Sequence, residues 1–495
     1  MSALPRADTA TLWDVAIVGL GPTGATLANM LGAAGARVIV IEREHDLLNL
    51  PRGVHFDGEV MRIFQGIGLA DAIEPLTRPS GGMQYFSAAG KLLVERVAAT
   101  TIGPHGWRDN YLFHQPYLER PLRAGLARYP NVAVRLDTEL VAIEQDAARV
   151  TLRIHPIDGS EERVHARYAI GCDGARSLVR QVIGADHEDL GLQQPGLVGD
   201  VLLTRPVDLP PATVQYCDPE RPVTFVRGTG ERRRWEIMLM PGDDPATITH
   251  PDNVWRLIRR WVTPADAVLE RGALYTFHSL IATRWRDRRL LIAGDSAHQT
   301  PPFLGQGMCA GIRDSANLGW KLARVLEGRA PATLLDTYQS ERSAHVRHFI
   351  ELAVTLGDLI QTTDPAVAAT RDEGFEAGGT MALVNLSPAL GAGLHTGQTP
   401  GGELLAQARL PDGRLADDVI GASFAAIGDL SLASPSARAT LERIGTRFIS
   451  IAPGSSPLGL QPSLHLLRPD RYTFGRAERV TEFDTLVSRL DRSLA

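Results

Sequence analysis

Residues 14–43, DVAIVGLGPTGATLANMLGAAGARVIVIER, join two short apolar runs through three glycines and a helix-like stretch. Gly19, Gly21 and Gly24 have the G-x-G-x-x-G spacing, and the second apolar run ends at Glu42. The order strand, tight turn, helix, strand and acid is typical of a dinucleotide-binding βαβ unit. The first glycine allows the turn, the second lets the backbone approach a pyrophosphate, and the third brings the helix close to the sheet. The segment therefore predicts phosphates at a helix N-terminus, with Glu42 hydrogen-bonded to a ribose.

Composition indicates an ordinary soluble protein of about three domains. The 495 residues are 44% hydrophobic and 22% charged, and the net charge of -6 argues against nucleic acid or an anionic membrane as a partner. Cys172, Cys217 and Cys309 are too few and too scattered for a disulfide framework or a zinc site, which suggests a reducing compartment. No signal-peptide pattern is evident at the start, and no apolar run reaches the roughly 20 residues of a membrane span. We therefore expect a cytoplasmic protein.

Two further acids next to glycines stand at the end of an apolar strand and the start of a helix. Asp173 follows the predicted strand 162–171, and Asp295 follows the predicted strand 289–293. Ligands bind α/β sheets at the carboxyl ends of their strands. Asp173 is then expected to add polar contacts near the pyrophosphate, and Asp295 to offer a carboxylate to a polyol chain. An NAD dehydrogenase needs only the first site, so three such sites suggest a longer cofactor, FAD.

The loop Gly305-Gln306-Gly307 precedes a long predicted helix over residues 308–326. Backbone N–H groups at the start of this helix are placed to face the pyrimidine edge of a flavin and to stabilise the negative charge of its reduced ring. The alternative is a flexible glycine loop that binds nothing.

The pattern of strands and helices predicts an α/β fold in which two domains alternate along the chain. A Rossmann-like FAD-binding domain is expected from residues 1–81, 114–185 and 278–369. A mostly antiparallel β-sheet substrate domain is expected from 82–113 and 186–277, because the hairpin 82–97 and the strands after residue 190 break the βαβ rhythm. Residues 370–495 are expected to form a linker with extended loops, where glycine and proline are frequent, followed by a small α/β module.

Several motifs, in this order, resemble those of the single-component flavoprotein aromatic hydroxylases, which include para-hydroxybenzoate hydroxylase and phenol hydroxylase. The motifs are GLGPTG, Glu42-Arg43, Pro51-Arg52, CDGARS and GDSAHQTPPFLGQG. The closer likeness is to the 3-(3-hydroxyphenyl)propionate hydroxylase branch, through FDGEVMRIFQGIGLAD, YCDPERP, GIRDSANLGWKLA and LLRPDRY. The resemblance covers nearly the whole chain. It implies that the final module is thioredoxin-like, here without redox cysteines and with a structural role.

The resemblance also implies a reaction. NAD(P)H reduces non-covalently bound FAD, O2 adds to give a flavin C4a-hydroperoxide, and its distal oxygen passes to a phenol. The expected partners are a small phenolic substrate and O2, with a homodimer as the candidate assembly and without nucleic acid, membrane or metal. By matching positions, Glu42 is expected to bind the adenosine ribose, Asp295 the ribityl chain, and Asp173 both FAD and NAD(P)H. The residues implied for other parts of FAD are Arg43, Arg52, Gln115, Pro302, Gly305, Gly307 and the backbone of Met308 and Cys309.

Three residues are candidates for the substrate side. His55 lies three residues beyond Arg52 and is the leading candidate for a base, because a phenolate is a better nucleophile than a phenol. It could equally be a structural side chain or mark a change of substrate, since the related branch often has glycine there. Tyr216 is a candidate pocket residue or a core aromatic, and the carbonyl of Pro302 is a candidate acceptor between flavin and substrate.

Three further sets of polar residues allow a functional or a structural interpretation. Residues 232–234 are three arginines that could meet a substrate carboxylate, although a solvated sheet edge is favoured. Glu341, His345 and His348 share a helix face, which we expect to be solvated rather than metal-binding. Asp57 is expected to cap a helix.

The sequence thus predicts an FAD-dependent, NAD(P)H-consuming monooxygenase that hydroxylates a phenol. The alternatives are a tailoring oxygenase of the same fold that acts on a polycyclic natural product, and a flavin-binding reductase or sensor that hydroxylates nothing.

Overall fold

The computed structural model describes residues 11–47, 52–99, 101–451 and 462–495. No helix within these ranges is long and apolar enough to cross a membrane. In chain order the strands are β1 (Leu12–Val18), β2 (Val38–Ile41), β3 (His55–Asp57), β4 (Thr77–Pro79), β5 (Met83–Ser87), β6 (Leu92–Arg96), β7 (Asn110–Phe113), β8 (Val132–Arg135), β9 (Thr138–Gln145), β10 (Val150–Pro156), β11 (Glu162–Gly171), β12 (His187–Leu203), β13 (Thr213–Cys217), β14 (Val223–Arg227), β15 (Arg232–Met238), β16 (Ala267–Ala282), β17 (Arg286–Asp287), β18 (Leu290–Ile292), β19 (His298–Gln299), β20 (Met381–Ala382), β21 (Ala425–Gly428), β22 (Arg447–Ser450), β23 (Leu464–Leu467) and β24 (Thr473–Ala477). The α-helices are α1 (Pro22–Ala33), α2 (Gly58–Gly66), α3 (Ala70–Ile73), α4 (Gln115–Ala124), α5 (Leu178–Ile183), α6 (Pro251–Ile258), α7 (Gly307–Leu326), α8 (Asp336–Gln361), α9 (Pro365–Gly378), α10 (Ala416–Ile420), α11 (Pro435–Ile444) and α12 (Val480–Leu494).

The eight-stranded sheet contains the predicted nucleotide-binding unit. Its main path is β17-β18-β11-β1-β2-β8, and β1 pairs in parallel with both β11 and β2. The hairpin β9-β10 pairs antiparallel with the first half of β11. Because β1, β11 and β18 are parallel, their carboxyl ends meet at one edge of the sheet, where the amide of Cys172 donates to the carbonyl of Val18 (2.7 Å) and the amide of Ala293 to that of Gly171 (2.9 Å).

The nine-stranded sheet joins strands from separate parts of the sequence in the order β19-β16-β12-β15-β14-β13-β5-β6-β20. Its outer face bears Trp235 and packs against α6 through an apolar cluster that includes Val254. Its inner face bears Tyr85 and packs against Phe303 and Leu356, which belong to the segment after β19 and to α8. The predicted alternation of two layers along the chain is therefore present, whereas the exact domain boundaries stay predictions.

The C-terminal module is the four-stranded sheet β22-β21-β23-β24 with α10, α11 and α12. Local signals explain α11, because the Oγ of Ser434 accepts a hydrogen bond from the amide of Ala437 (3.1 Å) and Gly445 ends the helix with φ 87°. The sequence analysis did not predict α12.

The predicted start of the linker near residue 370 is wrong, because α9 (Pro365–Gly378) continues to Gly378. The Asp364 side chain caps this helix by accepting a hydrogen bond from the amide of Ala366 (2.8 Å), and Pro365 occupies the first turn. The cap and the proline favour a helix start here, and the glycines near residue 378 only end the helix.

The solvated face predicted for Glu341, His345 and His348 is also wrong for the first two residues, which are buried, while His348 is exposed. Glu341 accepts hydrogen bonds from Lys321 (2.6 Å) and from Arg468 of the C-terminal module (2.7 Å). That module covers this face of α8, which helical periodicity alone does not show. No group of three or more histidine, cysteine, aspartate or glutamate residues in the described ranges is arranged to hold a metal ion.

Candidate active site

The glycine turn after β1 leaves an open cradle above Gly21. Gly19 has φ 99°, and a Cβ added there would overlap the carbonyl oxygen of Cys172. A Cβ added at Gly24 would overlap the carbonyl oxygen of Gly19, so α1 lies directly on the turn. In contrast, no described atom lies within 4 Å of a Cβ added at Gly21. The three glycines therefore meet the separate requirements of the motif, which are a tight turn, space for a pyrophosphate and close packing of α1.

The Glu42 carboxylate stabilises the same turn. Its Oε2 accepts a hydrogen bond from the amide of Leu20 (2.7 Å), and its Oε1 accepts one from the amide of Glu44 (3.0 Å). Each carboxylate oxygen can accept a second hydrogen bond, so a ribose hydroxyl remains an allowed partner.

Asp173 and Asp295 lie on neighbouring turns that Ser296 connects. The Ser296 hydroxyl donates to Oδ1 of Asp173 (3.0 Å) and accepts from the amide of Gly174 (3.0 Å), while Oδ2 of Asp173 accepts from the amide of Leu178 (2.8 Å). Asp295 is exposed to solvent, yet the protein around it is dense enough that desolvation raises the pKa of its carboxyl group. Asp173 thus shapes the turn, and Asp295 presents an exposed acceptor on the neighbouring turn.

The start of α7 presents backbone amides beside the glycine loop 302–307. Gly305 has φ 65°, and its amide donates to the carbonyl of Pro302 (2.8 Å). The first backbone hydrogen bond of α7 runs from Ala310 to Gln306 (2.9 Å), and no described side chain caps the helix. The amides of the first turn, which include those of Met308 and Cys309, are therefore available to an anionic ligand. Burial raises the pKa of the Cys309 thiol, so its side chain stays neutral.

A buried ionic network holds the Gln306 side chain. Its Nε2 donates to Oδ2 of Asp57 (3.0 Å), and Arg313 donates to its Oε1 (2.9 Å) and to Oε2 of Glu59 (2.5 Å). Burial alone would raise the pKa of Asp57, but the Arg313 guanidinium and the Gln306 hydrogen bond outweigh it and lower the pKa to about 2. Asp57 also accepts from the amide of Val60 (3.1 Å), which confirms the predicted helix cap.

His55 lies against the glycine loop in its neutral form. Its Nε2 lies 2.8 Å from Oδ1 of Asn110, and its Nδ1 lies 3.4 Å from the carbonyl oxygen of Gly305. Only 7% of the residue is exposed. Burial, followed by the positive charge of Arg96, lowers the pKa of His55 below its usual value. An uncharged imidazole is therefore held next to the loop.

The other implied FAD contacts surround the entry to this site. Oε1 of Gln115 accepts hydrogen bonds from the amides of Arg52 and Gly53, both at 2.8 Å. Gln115 therefore positions this segment, while the side chains of Arg43 and Arg52 are exposed. Pro51 lies outside the described residues. Direct contacts of these residues with FAD stay predictions.

The sequence analysis missed a row of polar residues on the inner face of the nine-stranded sheet. Strand register aligns Tyr85, Gln215, Thr224 and Glu236 across four adjacent strands. A cavity of about 20 Å3, large enough for one water molecule, lies between this face and Pro302. Its lining includes Gly196, Thr224, Glu236, Met238, Phe277 and Pro302. Alternation along β5 and β13 to β15 could have shown that these polar positions face inward.

Tyr216 does not lie with these residues. Its hydroxyl accepts a hydrogen bond from Nε1 of Trp261 (3.2 Å), and the two rings pack with centroids 5.3 Å apart. This contact places Tyr216 on the outer face, because its neighbour Cys217 belongs to the inner cluster with Phe303. The expected substrate contact of Tyr216 therefore disagrees with its position.

The solvated edge predicted for residues 232–234 is wrong, because β15 lies between β12 and β14. Arg234 is 3% exposed and donates to Oδ1 of Asp200 (2.7 Å) and to the carbonyl of Arg52 (2.9 Å). Arg233 is also buried, on the opposite side of the strand. Arg234 therefore fastens the sheet to the Arg52 segment and already has a carboxylate partner.

Comparison with known proteins supports the cofactor assigned to this site. The family model described as an FAD binding domain matches residues 13–353. The chain belongs to the FAD-binding monooxygenase family. The predicted family, the FAD cofactor and the enzyme class of flavoprotein aromatic hydroxylase are thereby confirmed.

Two relatives and two solved structures illustrate the similarity. The "Probable NADH-specific resorcinol 4-hydroxylase" of Rhodococcus jostii (strain RHA1) is 37% identical, with 97% of this chain and 95% of the relative covered. The "3-(3-hydroxy-phenyl)propionate/3-hydroxycinnamic acid hydroxylase" of Mycolicibacterium smegmatis (strain ATCC 700084 / mc(2)155) is 37% identical, with 89% and 82% covered. Two crystal structures share the fold. The complex of aklavinone-11 hydroxylase with FAD and aklavinone has a TM-score of 0.80 and 23% identity, with 97% of this chain and 99% of the other covered. The complex of the flavin-dependent monooxygenase PieE with FAD and substrate has a TM-score of 0.82 and 22% identity, with 98% and 99% covered. The predicted α/β fold class is confirmed at this level.

Proposed function

We propose that this enzyme uses NADH and O2 to hydroxylate a small phenol. The observation that carries the proposal is the glycine loop 302–307, which leads into the uncapped start of α7 and has the neutral, buried His55 packed against Gly305. The names of the relatives support the substrate class and, in one case, NADH as the reductant. NADPH is the alternative reductant.

The described residues fit FAD. Gly21 and the start of α1 would hold the pyrophosphate, Glu42 the ribose, and Asp295 the ribityl chain. Arg43, Arg52 and Gln115 would contact or position other parts of FAD, and Asp173 would serve FAD and the nicotinamide cofactor together. The first turn of α7, with Met308 and Cys309, would stabilise negative charge on the ring through its amides and dipole. Bound FAD would supply the activation of O2 and the transfer of one oxygen atom.

On the substrate side, His55 and the carbonyl of Pro302 are the proposed acceptors for the phenol hydroxyl. A neutral imidazole can accept this proton, and proton removal raises the electron density of the ring that receives oxygen. The hydrogen bond from His55 to Asn110 fixes the ring orientation, which leaves Nδ1 on the side of the loop.

We also propose the domain division given by the sequence. Residues 1–81, 114–185 and 278–369 would form the Rossmann-like FAD domain, and 82–113 with 186–277 the substrate domain. The C-terminal module would be thioredoxin-like, with a structural role, since none of the three cysteines lies in it.

The experiment is oxidation of NADH and of NADPH by the purified FAD-loaded protein, with resorcinol, 3-(3-hydroxyphenyl)propionate and a wider phenol panel. Oxygen uptake and product mass are followed together. The proposal expects one phenol to accelerate oxidation and to gain one oxygen atom. Acceleration only by polycyclic phenols would favour a tailoring oxygenase, and oxidation without any oxygenated product would favour a reductase or sensor.

A further inference from the structure

Arg96, at the end of β6, is buried, and its side chain has no hydrogen-bond or ion-pair partner in the described parts of the chain. The residue is 9% exposed, its Nε is fully enclosed, and no described residue accepts a hydrogen bond from it or forms an ion pair with it. Other buried arginines are paired, as Arg62 is with Asp417 (2.6 Å) and Arg342 with Asp314 (2.8 Å). A buried charge without a partner is unfavourable for folding, so we expect a ligand to supply the missing hydrogen-bond acceptor.

The direction of Arg96 follows from the register of the sheet. Arg96 lies two residues beyond Val94 on β6 and therefore shares its face, and Val94 pairs with Tyr85 on β5. Val94 and Tyr85 pack against Phe303 and Leu304, which belong to the loop 302–307. Arg96 is thus on the inner face of the sheet, the face that packs against the loop 302–307.

Tyr85 supplies a second unsatisfied donor in the same place. The residue is 0% exposed, and its hydroxyl has no hydrogen-bond partner among the described residues. Arg96 also lies close enough to His55 for its charge to lower the pKa of that imidazole. The nearby Asp57 is already paired with Arg313, so it does not neutralise Arg96. Asp109 also acts on Arg96 through its negative charge, but neither Arg96 nor the Tyr85 hydroxyl has a hydrogen-bond acceptor among the described residues.

We propose that Arg96 and Tyr85 form an anion subsite that binds an anionic oxygen of the aromatic substrate. The inference rests on the proposed function and adds to it the residues that recognise the charge. Both groups donate hydrogen bonds, so the ligand must accept them, and the guanidinium selects a negatively charged acceptor. The anionic oxygen belongs either to a side-chain carboxylate or to the ring phenolate.

The test compares Arg96→Met and Tyr85→Phe with wild type by titrating the oxidised, FAD-loaded enzyme and recording the flavin difference spectrum. The probes are 3-(3-hydroxyphenyl)propionate, its propanol analogue, which lacks the carboxylate, and resorcinol. Because a hydrogen bond to a charged group is strong, loss of Arg96 is expected to weaken binding of the recognised ligand by about ten- to a hundredfold. Weakening of the propionate alone assigns the carboxylate, and equal weakening of all three assigns the phenolate.

Stability separates a ligand-binding arginine from a structural one. Arg62→Met is the matched control, because Arg62 is also buried (4% exposed) but is paired with Asp417. Without substrate, Arg96→Met is expected to melt no lower than wild type, whereas Arg62→Met melts lower and keeps the substrate preference.

Binding that is unchanged in Arg96→Met, or a melting temperature lowered as far as in Arg62→Met, would overturn the subsite. So would a wild-type enzyme whose flavin spectrum responds to none of the three probes. The titration needs no turnover, so it tests the subsite separately from hydroxylation. If wild type binds these probes through Arg96 but oxygenates no phenol, the proposed function fails and the subsite stands.

Discussion

Replacing Gly21 with alanine should separate FAD binding from folding. Gly21 has φ -72° and ψ -176°, a backbone conformation that alanine adopts without strain. A Cβ added there meets no described atom within 4 Å, whereas one added at Gly24 overlaps the Gly19 carbonyl. The added methyl group would therefore occupy only the space assigned to the pyrophosphate.

The two effects have opposite signs. In the FAD-free protein, the alanine should raise the free energy of unfolding by about 0.4–1 kcal/mol, because it restricts the unfolded chain at a compatible position. In the complex, the methyl group crowds the phosphates, and overpacking of about 1–3 kcal/mol weakens FAD binding by about five- to 150-fold. Gly21→Ala should thus bind FAD poorly while its apoprotein remains folded.

The assay titrates FAD into the apoprotein by flavin fluorescence and measures thermal unfolding with and without FAD. Gly66→Ala is the matched control, because Gly66 also has open space for a Cβ and ends α2 away from the cradle. Gly24→Ala should instead fail at folding. An unchanged FAD affinity in Gly21→Ala would refute the placement of the pyrophosphate, and a destabilised Gly21→Ala apoprotein would refute the open cradle.

Three other predictions test parts of the molecule beyond the cradle. Burial and the charge of Arg476 lower the pKa of His465 to about 4, so the unfolded chain binds a proton first below about pH 6.5, and this residue should remove about 2 kcal/mol of stability between pH 8 and pH 5. Denaturant unfolding at both pH values should show a loss about 2 kcal/mol larger in wild type than in His465→Leu, and equal losses in both would contradict the assignment. Tyr472→Phe removes a donor to the Glu59 carboxylate (2.9 Å) and should cost about 1.5–3 kcal/mol in chemical unfolding, so an unchanged unfolding curve would count against this contact. Tyr216→Phe should change the KM for a phenol by less than about twofold in steady-state assays, because the hydroxyl contacts only the outer face, and a large rise would place it in the substrate site.

The parts of the fold that local sequence determines could be predicted. Residues 38–41 and 162–171 form strands with the predicted bounds, and α7 begins at Gly307, one residue before the predicted helix start. Apolar runs, glycine turns and helix starts are encoded within a few residues. The acids Asp173 and Asp295 could be located for the same reason, since each directly follows a buried strand.

The rest depends on partners that are distant in sequence. Glu341 looks like a surface residue by helical periodicity, but its Arg468 partner is 127 positions away. Arg96 occupies an ordinary strand position, and its importance comes from the absence of an acceptor among the described residues of the folded sheet. Periodicity indicates which residues share a face, but not what covers that face or which charges remain unpaired on it.

The C-terminal module is hydrogen-bonded to the candidate active site, although it contains no cysteine. Tyr472 donates a hydrogen bond to Oε1 of Glu59 (2.9 Å), and the other oxygen of that carboxylate accepts from Arg313 (2.5 Å). Arg313 in turn donates to Gln306 in the glycine loop (2.9 Å). Because every member of this chain is buried, displacing the module would leave the Glu59 carboxylate short of a donor two hydrogen bonds from the loop. The module is therefore part of the network that holds Gln306, and with it the loop that leads into α7 and contacts His55.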